Sequence, residues 1–347
     1  MVKKDKESSK KENTLFVGID LGTSKTAFVS SNGFEDMIPS IVGWPKDMVA
    51  KKFLSKDILI GEEVYKNRLS LTLSNPMKNG IINNTDRDRE AAKKLLNHTL
   101  NLAKKGLDHD KIFVIVGAPA QTNHINKTSL LEISNNIANS IMVVSEPFVV
   151  AYGINKMNHS LIIDMGAGTL DLCRMHATLP EDGDEVSITK AGDFIDQQIL
   201  DLISRNYKGA SLTIQMVQKW KEKYGYVGKP DKKIEVEVPL DGKDTLIDIT
   251  EEIREGCESI MDDLVKAVKE LISSYDPEFQ PIIKKNIILA GRLSQIKGLI
   301  PYLKKRLEEI GDVEIEIVDD KIFSGARGAL ELSKDMPPDY WDQVKMD

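Results

Sequence analysis

The sequence predicts an α/β protein built as two duplicated halves, and three observations predict it. Short apolar runs alternate with segments of helical periodicity over most of the chain, the pattern of sheets covered by helices. Leu161–Leu172 (LIIDMGAGTLDL) reads as a buried strand, an acid at its end, a tight glycine turn and a second strand. Phe16–Thr26 (FVGIDLGTSKT) repeats that plan, and when Asp20 is laid on Asp164, Gly22 falls on Gly166. The two copies open the two halves of a 347-residue chain, long enough for two domains with substantial cores. One glycine turn signals only a hairpin. Two at matching places imply a duplicated clamp for phosphate.

The first copy predicts two strands over residues 14–30 joined at Asp20–Thr23. Glycine lets the backbone approach closely, and successive amides attract anions, so Gly22, Thr23 and Ser24 can cradle phosphate oxygens while Lys25 adds positive charge; an ordinary hairpin with an exposed lysine explains this element equally well when it is taken alone. Residues 31–79 are mixed and read as a small insertion, with a short helix at 62–69. Asn75–Ile82 is turn chemistry returning to the main fold. Thr85 is placed to cap a helix whose apolar face runs through Ala91, Ala92, Leu95, Leu96, Thr99, Leu100 and Ala103, and Gly106 ends it. Lys111–Gly117 is a buried β-branched strand, a helix is expected over 123–136, and Ile141–Val144 is a short strand. Ser145-Glu146-Pro147 then opens a helix to Ile154, with Pro147 at its first position. An acid at a strand end just before a helix stands where open α/β sheets place their chemistry, although a first-turn glutamate is also favoured by the helix dipole alone.

In the second half, Glu185–Ala191 reads as a strand, Gly192–Arg205 and Ser211–Tyr224 as helices, and Lys232–Val238 with Thr245–Ile249 as a hairpin around Asp241-Gly242. Thr250 is expected to cap one long helix to about Tyr275. Asn286–Ala290 is a buried strand leading to Gly291-Arg292-Leu293-Ser294. A helix over 297–310, a strand over 313–318 and a last helix near 325–332 follow, with Pro337-Pro338 as its stop. The tail at Pro338–Trp341 is expected to pack on the body.

Composition narrows the function classes. With 41% apolar and 29% charged residues, neither a disordered nor a fibrous chain is indicated. A net charge of −7 argues against nucleic acid as the main ligand. No apolar run approaches the roughly 18 residues that cross a bilayer. The first thirteen residues, rich in Lys and Glu, have neither a signal-peptide core nor the apolar face of a membrane-lying helix, and read as a solubilising tail. Cys173 and Cys257 are expected as buried, reduced thiols of a cytosolic protein. The histidines show no paired spacing for a zinc site.

Six features therefore stand in a fixed order: Asp20–Thr26, Asn75–Ile82, Ser145-Glu146-Pro147, Asp164–Asp171, Gly192–Asp196 and Ala290–Gly298. In that order, from about Thr14 to Leu332, the chain resembles the actin-like ATPase superfamily, which includes actin, heat-shock chaperone ATPases, hexokinase-type kinases and the bacterial actins. Phe16–Ser24, Val143–Phe148, Lys190–Gly192, Tyr226–Gly228 and the ending Pro337–Trp341 are similar to bacterial actins, and among those to filament proteins that organise magnetosomes.

The resemblance implies an actin-like fold: two duplicated domains with central mixed sheets flanked by helices and a nucleotide cleft between them. The implied division is a tail at 1–13, a first domain at 14–156 with an insertion at about 37–79, a second at 157–322 with an insertion at about 197–255, and a C-terminal helix and tail at 323–347 returning to the first domain. It implies ATP and ADP as ligands, with the amides of residues 22–24 and Lys25 on the phosphates from one side and Gly166, Ala167, Gly168 and Thr169 from the other. Asp20 and Asp164 are implied to hold Mg²⁺ through its waters, which suits an ion that dehydrates reluctantly. Glu146 is implied to orient the attacking water. Asp193, Asp196, Lys221 and Glu222 are placed near the ribose and Gly192 beside them, and Gly291, Arg292 and Leu293 at the adenine wall; Asp171 is read mainly as a structural partner. Bacterial actins usually carry a run of glycines at Gly291–Leu293, so Arg292 either narrows the pocket or stacks on the base as a planar cation.

The implied function is a cytoplasmic ATPase that polymerises with itself into nucleotide-dependent filaments, positions magnetosomes and meets magnetosome-associated adaptor proteins, with no nucleic acid and no direct membrane insertion. A soluble metabolite kinase on the same fold, or a plasmid-segregation or cell-shape actin, is the alternative. Trp44, Val49, Phe53, Tyr224, Tyr226 and Val227 are open to either of two readings, as filament contacts or as local core.

Overall fold

The computed structural model describes residues 13–83, 85–120 and 137–343. The helix expected over 123–136 and most of the tail at 1–13 lie outside them. Two five-stranded mixed sheets organise the chain. In the first, Thr14–Leu21 is central, antiparallel to Lys25–Ser30, which pairs with Glu35–Pro39, and parallel on its other side to Lys111–Ala118, which carries Ser140–Ser145 at the edge. In the second, Asn158–Met165 takes the same place, with Leu170–His176 and Glu185–Ile188 antiparallel on one side and Ile287–Ala290 and Ile315–Ile317 parallel on the other. The two sheets share one topology, which is the duplication that the twin glycine turns announce.

Both faces of the first sheet are covered, so its strands read as near-continuous apolar runs. Leu15, Val17, Ile19 and Leu21 pack with Ala91, Leu95, Leu96 and Leu100 of the helix Asp86–Lys104. Thr85 caps that helix by accepting from the Asp88 amide. The other face receives the helix Ser324–Asp335, which comes so near the sheet that a Cβ on Gly18 would stand 2.0 Å from the Ala326 carbonyl oxygen. The same helix crosses Glu146–Gly153, the element leading from the first sheet to the second, where a Cβ on Gly328 would stand 1.7 Å from the Val149 carbonyl oxygen. Trp341, 2% exposed, stacks on Phe113 with ring centres 4.9 Å apart, so the tail does pack on the body.

The expected helix from Thr250 to Tyr275 is two helices, Thr250–Glu258 and Met261–Ser273. Ser259 ends the first by bonding with both its amide and its hydroxyl to the Gly256 carbonyl three residues back. Thr250 is the first helical residue rather than the cap; its hydroxyl accepts from the Ile234 amide and ties the helix to the hairpin Glu235–Leu240/Lys243–Asp248. Likewise Glu146, not Pro147, starts its helix. The insertion after the first sheet carries three strands, Val42–Pro45, Leu59–Ile60 and Leu71–Ser74, and the helices Met48–Leu54 and Glu62–Asn67. Of the six residues open to two readings, Tyr226 and Val227 are buried core, Trp44 is half-buried beneath the Arg87 guanidinium, and Tyr224 packs against the core, whereas Val49 and Phe53 face solvent. Cys173 and Cys257 are buried and unpaired, and burial pushes both thiols upward. No described helix is long and apolar enough to cross a membrane.

Candidate functional site

Each sheet delivers the acid of its central strand to one cavity. Asp20 stands between Ala27 and Gly117 near the end of Thr14–Leu21, and Asp164 between Asp171 and Ala290 near the end of Asn158–Met165. The cavity, about 230 Å³, is lined on one side by Asp20, Gly22, Thr23, Ser24 and Lys25, and on the other by Asp164, Gly166, Ala167, Gly168 and Thr169, with Glu146 also in the lining. Gly117 leaves room for Glu146, since a Cβ there would meet its Cγ at 3.3 Å.

The two loops meet. A Cβ on Gly168 would fall 2.2 Å from the Thr23 hydroxyl oxygen and 3.0 Å from the Asn79 Cα, so only glycine allows this approach. The Thr23 hydroxyl accepts from the Gly80 amide at 2.9 Å, which fixes the Asn75–Ile82 turn against the first loop. Ser40 supports the same loop from behind by donating to the Gly22 carbonyl at 2.7 Å. Asp171 accepts from the Ser187 hydroxyl and from the Ala120 amide at 2.9 Å, joining the strand after the second loop to the end of a strand in the first sheet. That is a structural part, and it crosses between the two sheets.

Three carboxylates meet in the cavity with little to compensate them, Asp164 and Glu146 buried and Asp20 part-buried. Burial, then the neighbouring Asp171 charge, pushes the Asp20 carboxyl up to about 7. Burial and repulsion from Asp20 push Asp164 well above the usual carboxylate range, and burial with Asp20, Asp171 and Asp164 does the same to Glu146. Asp171 is also raised by burial, against the bonds from Ser187, Thr169 and the Ala120 amide. Burial, then Arg292, lowers Lys25. No group of three or more acidic, histidine or cysteine side chains among the described residues is placed to hold a metal by itself, so Asp20 and Asp164 fit Mg²⁺ only as an ion that keeps its waters and takes phosphate oxygens.

The other end of the cavity is lined by Gly192, Lys221, Glu222, Gly291, Arg292 and Leu293. Lys221 is buried, donates to the Gly192 carbonyl at 2.7 Å and pairs with Asp196 at 2.8 Å. Burial holds the Asp196 carboxyl up near 6 despite Lys221. Asp193 and Asp196 do not line the cavity: Asp193 is exposed and Asp196 is turned to Lys221. Gly291 has φ 74°, and a Cβ there would lie 2.4 Å from Asp164 Oδ1. Arg292 pairs with Glu222 at 3.2 Å, both half-exposed. Gln295 and Ile296, within the Ala290–Gly298 feature, also line the cavity, and Gln218, Gly225, Met37 and Lys321 line it and escape the sequence reading. Only Gln218 had a usable signal, one helical turn before Lys221.

Comparison with known proteins agrees with this geometry. The family model described as MreB/Mbl protein matches residues 14–338. The actin-like protein MamK of Paramagnetospirillum magneticum is 37% identical over 334 residues, covering 96% of each chain, and that of Magnetospirillum gryphiswaldense is 36% identical over 334 residues, covering 96% of this chain and 92% of its own. Among solved structures, a MamK double helical filament superposes with a TM-score of 0.91 at 36% identity, covering 94% of this chain and all of the other. A non-polymerising MamK mutant bound to AMPPNP gives 0.72 at the same identity, covering 93% of this chain and all of the other. The α/β fold is therefore actin-like, and the chain belongs to the MreB/Mbl family of bacterial actins.

Proposed function

We propose that the chain is an ATPase that binds ATP or ADP in the cleft with Mg²⁺, hydrolyses ATP, and assembles with itself into a cytoplasmic, nucleotide-dependent filament that positions magnetosomes through adaptor proteins. The observation that carries this reading is the contact of Gly168 with Thr23, where the two phosphate-type loops close on one space beside the carboxylates of Asp20, Asp164 and Glu146. Phosphoryl transfer asks a protein for positioning and neutralisation of spread charge more than for covalent help. The amides of residues 22–24 and 166–169, with Lys25, take the phosphate oxygens. Asp20 and Asp164 hold Mg²⁺, which neutralises phosphate charge when bound. Glu146 accepts a hydrogen bond from the water that attacks the γ-phosphate. Lys221 and Glu222 face the ribose, and Gly291, Arg292 and Leu293 the base; Asp196 acts behind Lys221, and Asp193 at the rim.

Because the loops belong to different halves, contacts to the γ-phosphate bind the halves together, and loss of that phosphate relaxes their angle. The better superposition on the filament subunit than on the non-polymerising mutant, at one identity, supports a likeness to the assembled form. The proposed division of the chain places the boundary between halves at 156/157, beside the crossing of Glu146–Gly153 with Ser324–Asp335. A Glu146→Ala protein is expected to sediment as filaments with ATP and Mg²⁺ while releasing phosphate at least about 100-fold more slowly. Wild-type phosphate release by that variant would remove Glu146 from the reaction, and a wild-type chain that stays monomeric with ATP would remove the filament.

A further inference from the structure

A second cavity, about 130 Å³, shares a wall with the cleft cavity. Two short segments make that wall. The Val227 amide donates to the Lys297 carbonyl at 3.0 Å and the Lys297 amide to the Gly225 carbonyl at 3.1 Å, so Gly225–Val227 lies alongside Ile296–Gly298. Gly225, Gln295 and Ile296 line the cleft cavity, whereas Tyr226, Val227, Lys297 and Gly298 line the second. Gly298, at φ 77°, closes the seam, since a Cβ there would lie 2.8 Å from the Val227 carbonyl oxygen.

Tyr224, Val227 and Ile234 give the second cavity an apolar side, and Lys229, Lys232 and Lys297 give it a cationic one. Among the described residues none of these three lysines enters an ion pair: Glu222 is paired with Arg292, Asp248 with Lys233, and Glu258 with Arg254 and the Gly228 amide. Asp231 is the one acid in the lining. Exposed Glu235 follows in the chain outside the lining, and exposed Lys223 stands over the Tyr224 ring at 4.9 Å. In a chain of net charge −7, an excess of lysine around a cavity reverses the prevailing sign. The helix Leu299–Arg306 also starts at this wall with no side-chain cap and no acid in its first turn, so its positive end is not answered within the chain.

We infer that this cavity is an effector site for a compact molecule carrying two or more phosphate charges, and that the shared wall passes its occupation to the cleft. The lining holds three lysines and no arginine. Lysine offers a point charge with rotatable donors, which suits tetrahedral phosphate, whereas a planar carboxylate favours the arginine fork. Lys229 and Lys232 lie between the helix Ile214–Tyr224 and the hairpin Glu235–Leu240/Lys243–Asp248, while Lys297 follows the strand Ile287–Ala290 of the second sheet. A polyanion bound among them ties the insertion to the sheet and steadies the wall that carries Gly225 and Ile296 to the cleft. Such coupling is reciprocal, so a ligand that tightens ADP binding is itself held more tightly when ADP is present. The coupling rests on the nucleotide reading of the cleft; the site does not.

The probe is inorganic pyrophosphate, titrated calorimetrically into the full chain with ADP and excess Mg²⁺ filling the cleft. The Lys229→Ala/Lys232→Ala protein is expected to bind it at least about tenfold more weakly than wild type. Lys243→Ala, which removes an exposed lysine of the neighbouring hairpin outside the lining, should change binding by less than about twofold. A fluorescent ADP analogue should bind all three proteins equally without pyrophosphate, which checks folding. With saturating pyrophosphate it should bind wild type at least about fivefold more tightly than the double variant. Absence of pyrophosphate binding, or equal losses in the double variant and Lys243→Ala, would overturn the site. Equal affinity for the analogue in wild type and double variant with pyrophosphate present would overturn the coupling. Sedimentation with phosphatidylglycerol vesicles that the double variant loses and pyrophosphate does not reverse would overturn the soluble ligand in favour of a lipid headgroup. A chain that binds no ADP fails the reading of the cleft, while pyrophosphate binding without nucleotide still decides the site.

Discussion

The second sheet holds buried carboxylates at both of its ends, and they are treated in opposite ways. At the end away from the cleft, Asp184 accepts from Arg174 Nε at 2.9 Å and lies 2.8 Å from His176 Nε2. Arg174 in turn donates to Ser274 and lies over the Tyr275 ring. Burial would raise Asp184, but the bonds from Arg174, the Glu181 amide and His176 outweigh it and hold the carboxyl below its ordinary range. At the cleft end, Asp164 joins Asp20 and Glu146, and burial with mutual repulsion drives all three upward. A carboxylate that serves the fold is satisfied by the fold. One that serves a ligand is left for the ligand to satisfy.

The largest effect should come from the cleft. Asp164→Asn is expected to cut ATP turnover at least about 100-fold and to shift its magnesium dependence, while the nucleotide-free protein becomes more stable because a repelling buried charge is gone. Calorimetry without nucleotide and phosphate release with it read the two halves of that statement. A variant less stable than wild type would mean that the cleft carboxylates are structural after all. The converse substitution, Arg174→Ala, strands Asp184 without its main partner and is expected to cost about 3 kcal/mol in chemical denaturation. Loss below about 1 kcal/mol would erase the distinction between the ends.

Acidity separates the ends without mutation. The Asp20 carboxyl at about 7, against an ordinary 3.8, means that between those values the folded chain holds a proton that the unfolded chain has released. Its contribution to stability is then present at low pH and lost as pH rises through that window. Asp184 has the opposite sign: its contribution is present above 3.8 and lost as pH falls through its lowered folded value. The melting temperature of the nucleotide-free protein should therefore rise by a few degrees from pH 8 to pH 6 and fall again below pH 4. A flat profile from pH 8 to pH 6 would remove the strain assigned to the cleft.

This contrast explains what was legible in the sequence. Asp20, Asp164 and the glycine loops carry local signals, since a strand end, an acid and a turn are adjacent in the chain, and the duplicated plan followed from them. Glu146 was placed by the same logic. The contact of Gly168 with Thr23, the Ala120–Asp171 bond and the arrival of Met37 and Lys321 at the cavity depend on how two sheets meet, and no local pattern records that. The break at Ser259 was missed because apolar spacing continues across it, while the interruption comes from a serine side chain bonding to the backbone. Asp196 is placed near the ribose by the resemblance alone, and its pairing with Lys221 is a contact that no local pattern records.

The smallest expected effect lies where the two treatments meet, at the mouth of the cleft. Arg292 and Glu222 form an ion pair with each side chain 40% exposed, so water screens it and the pair contributes at most about 1 kcal/mol to folding. Arg292 also faces Lys25 from the other side of the cleft and lowers its affinity for a proton, while Glu222 works in the opposite direction. Glu222→Gln should leave Arg292 unpaired and weaken ATP binding no more than about threefold, because the phosphate loops and Lys25 are untouched. Arg292→Gly, which restores the residue that bacterial actins usually carry, should change affinity by less than about fivefold and leave the saturated rate unchanged, since nothing at the reacting end moves. Titration with a fluorescent ATP analogue reads both. A loss beyond tenfold for Arg292→Gly would make the guanidinium a principal ligand of the base, and the division between satisfied and waiting charges would then have to be drawn through the mouth of the cleft as well.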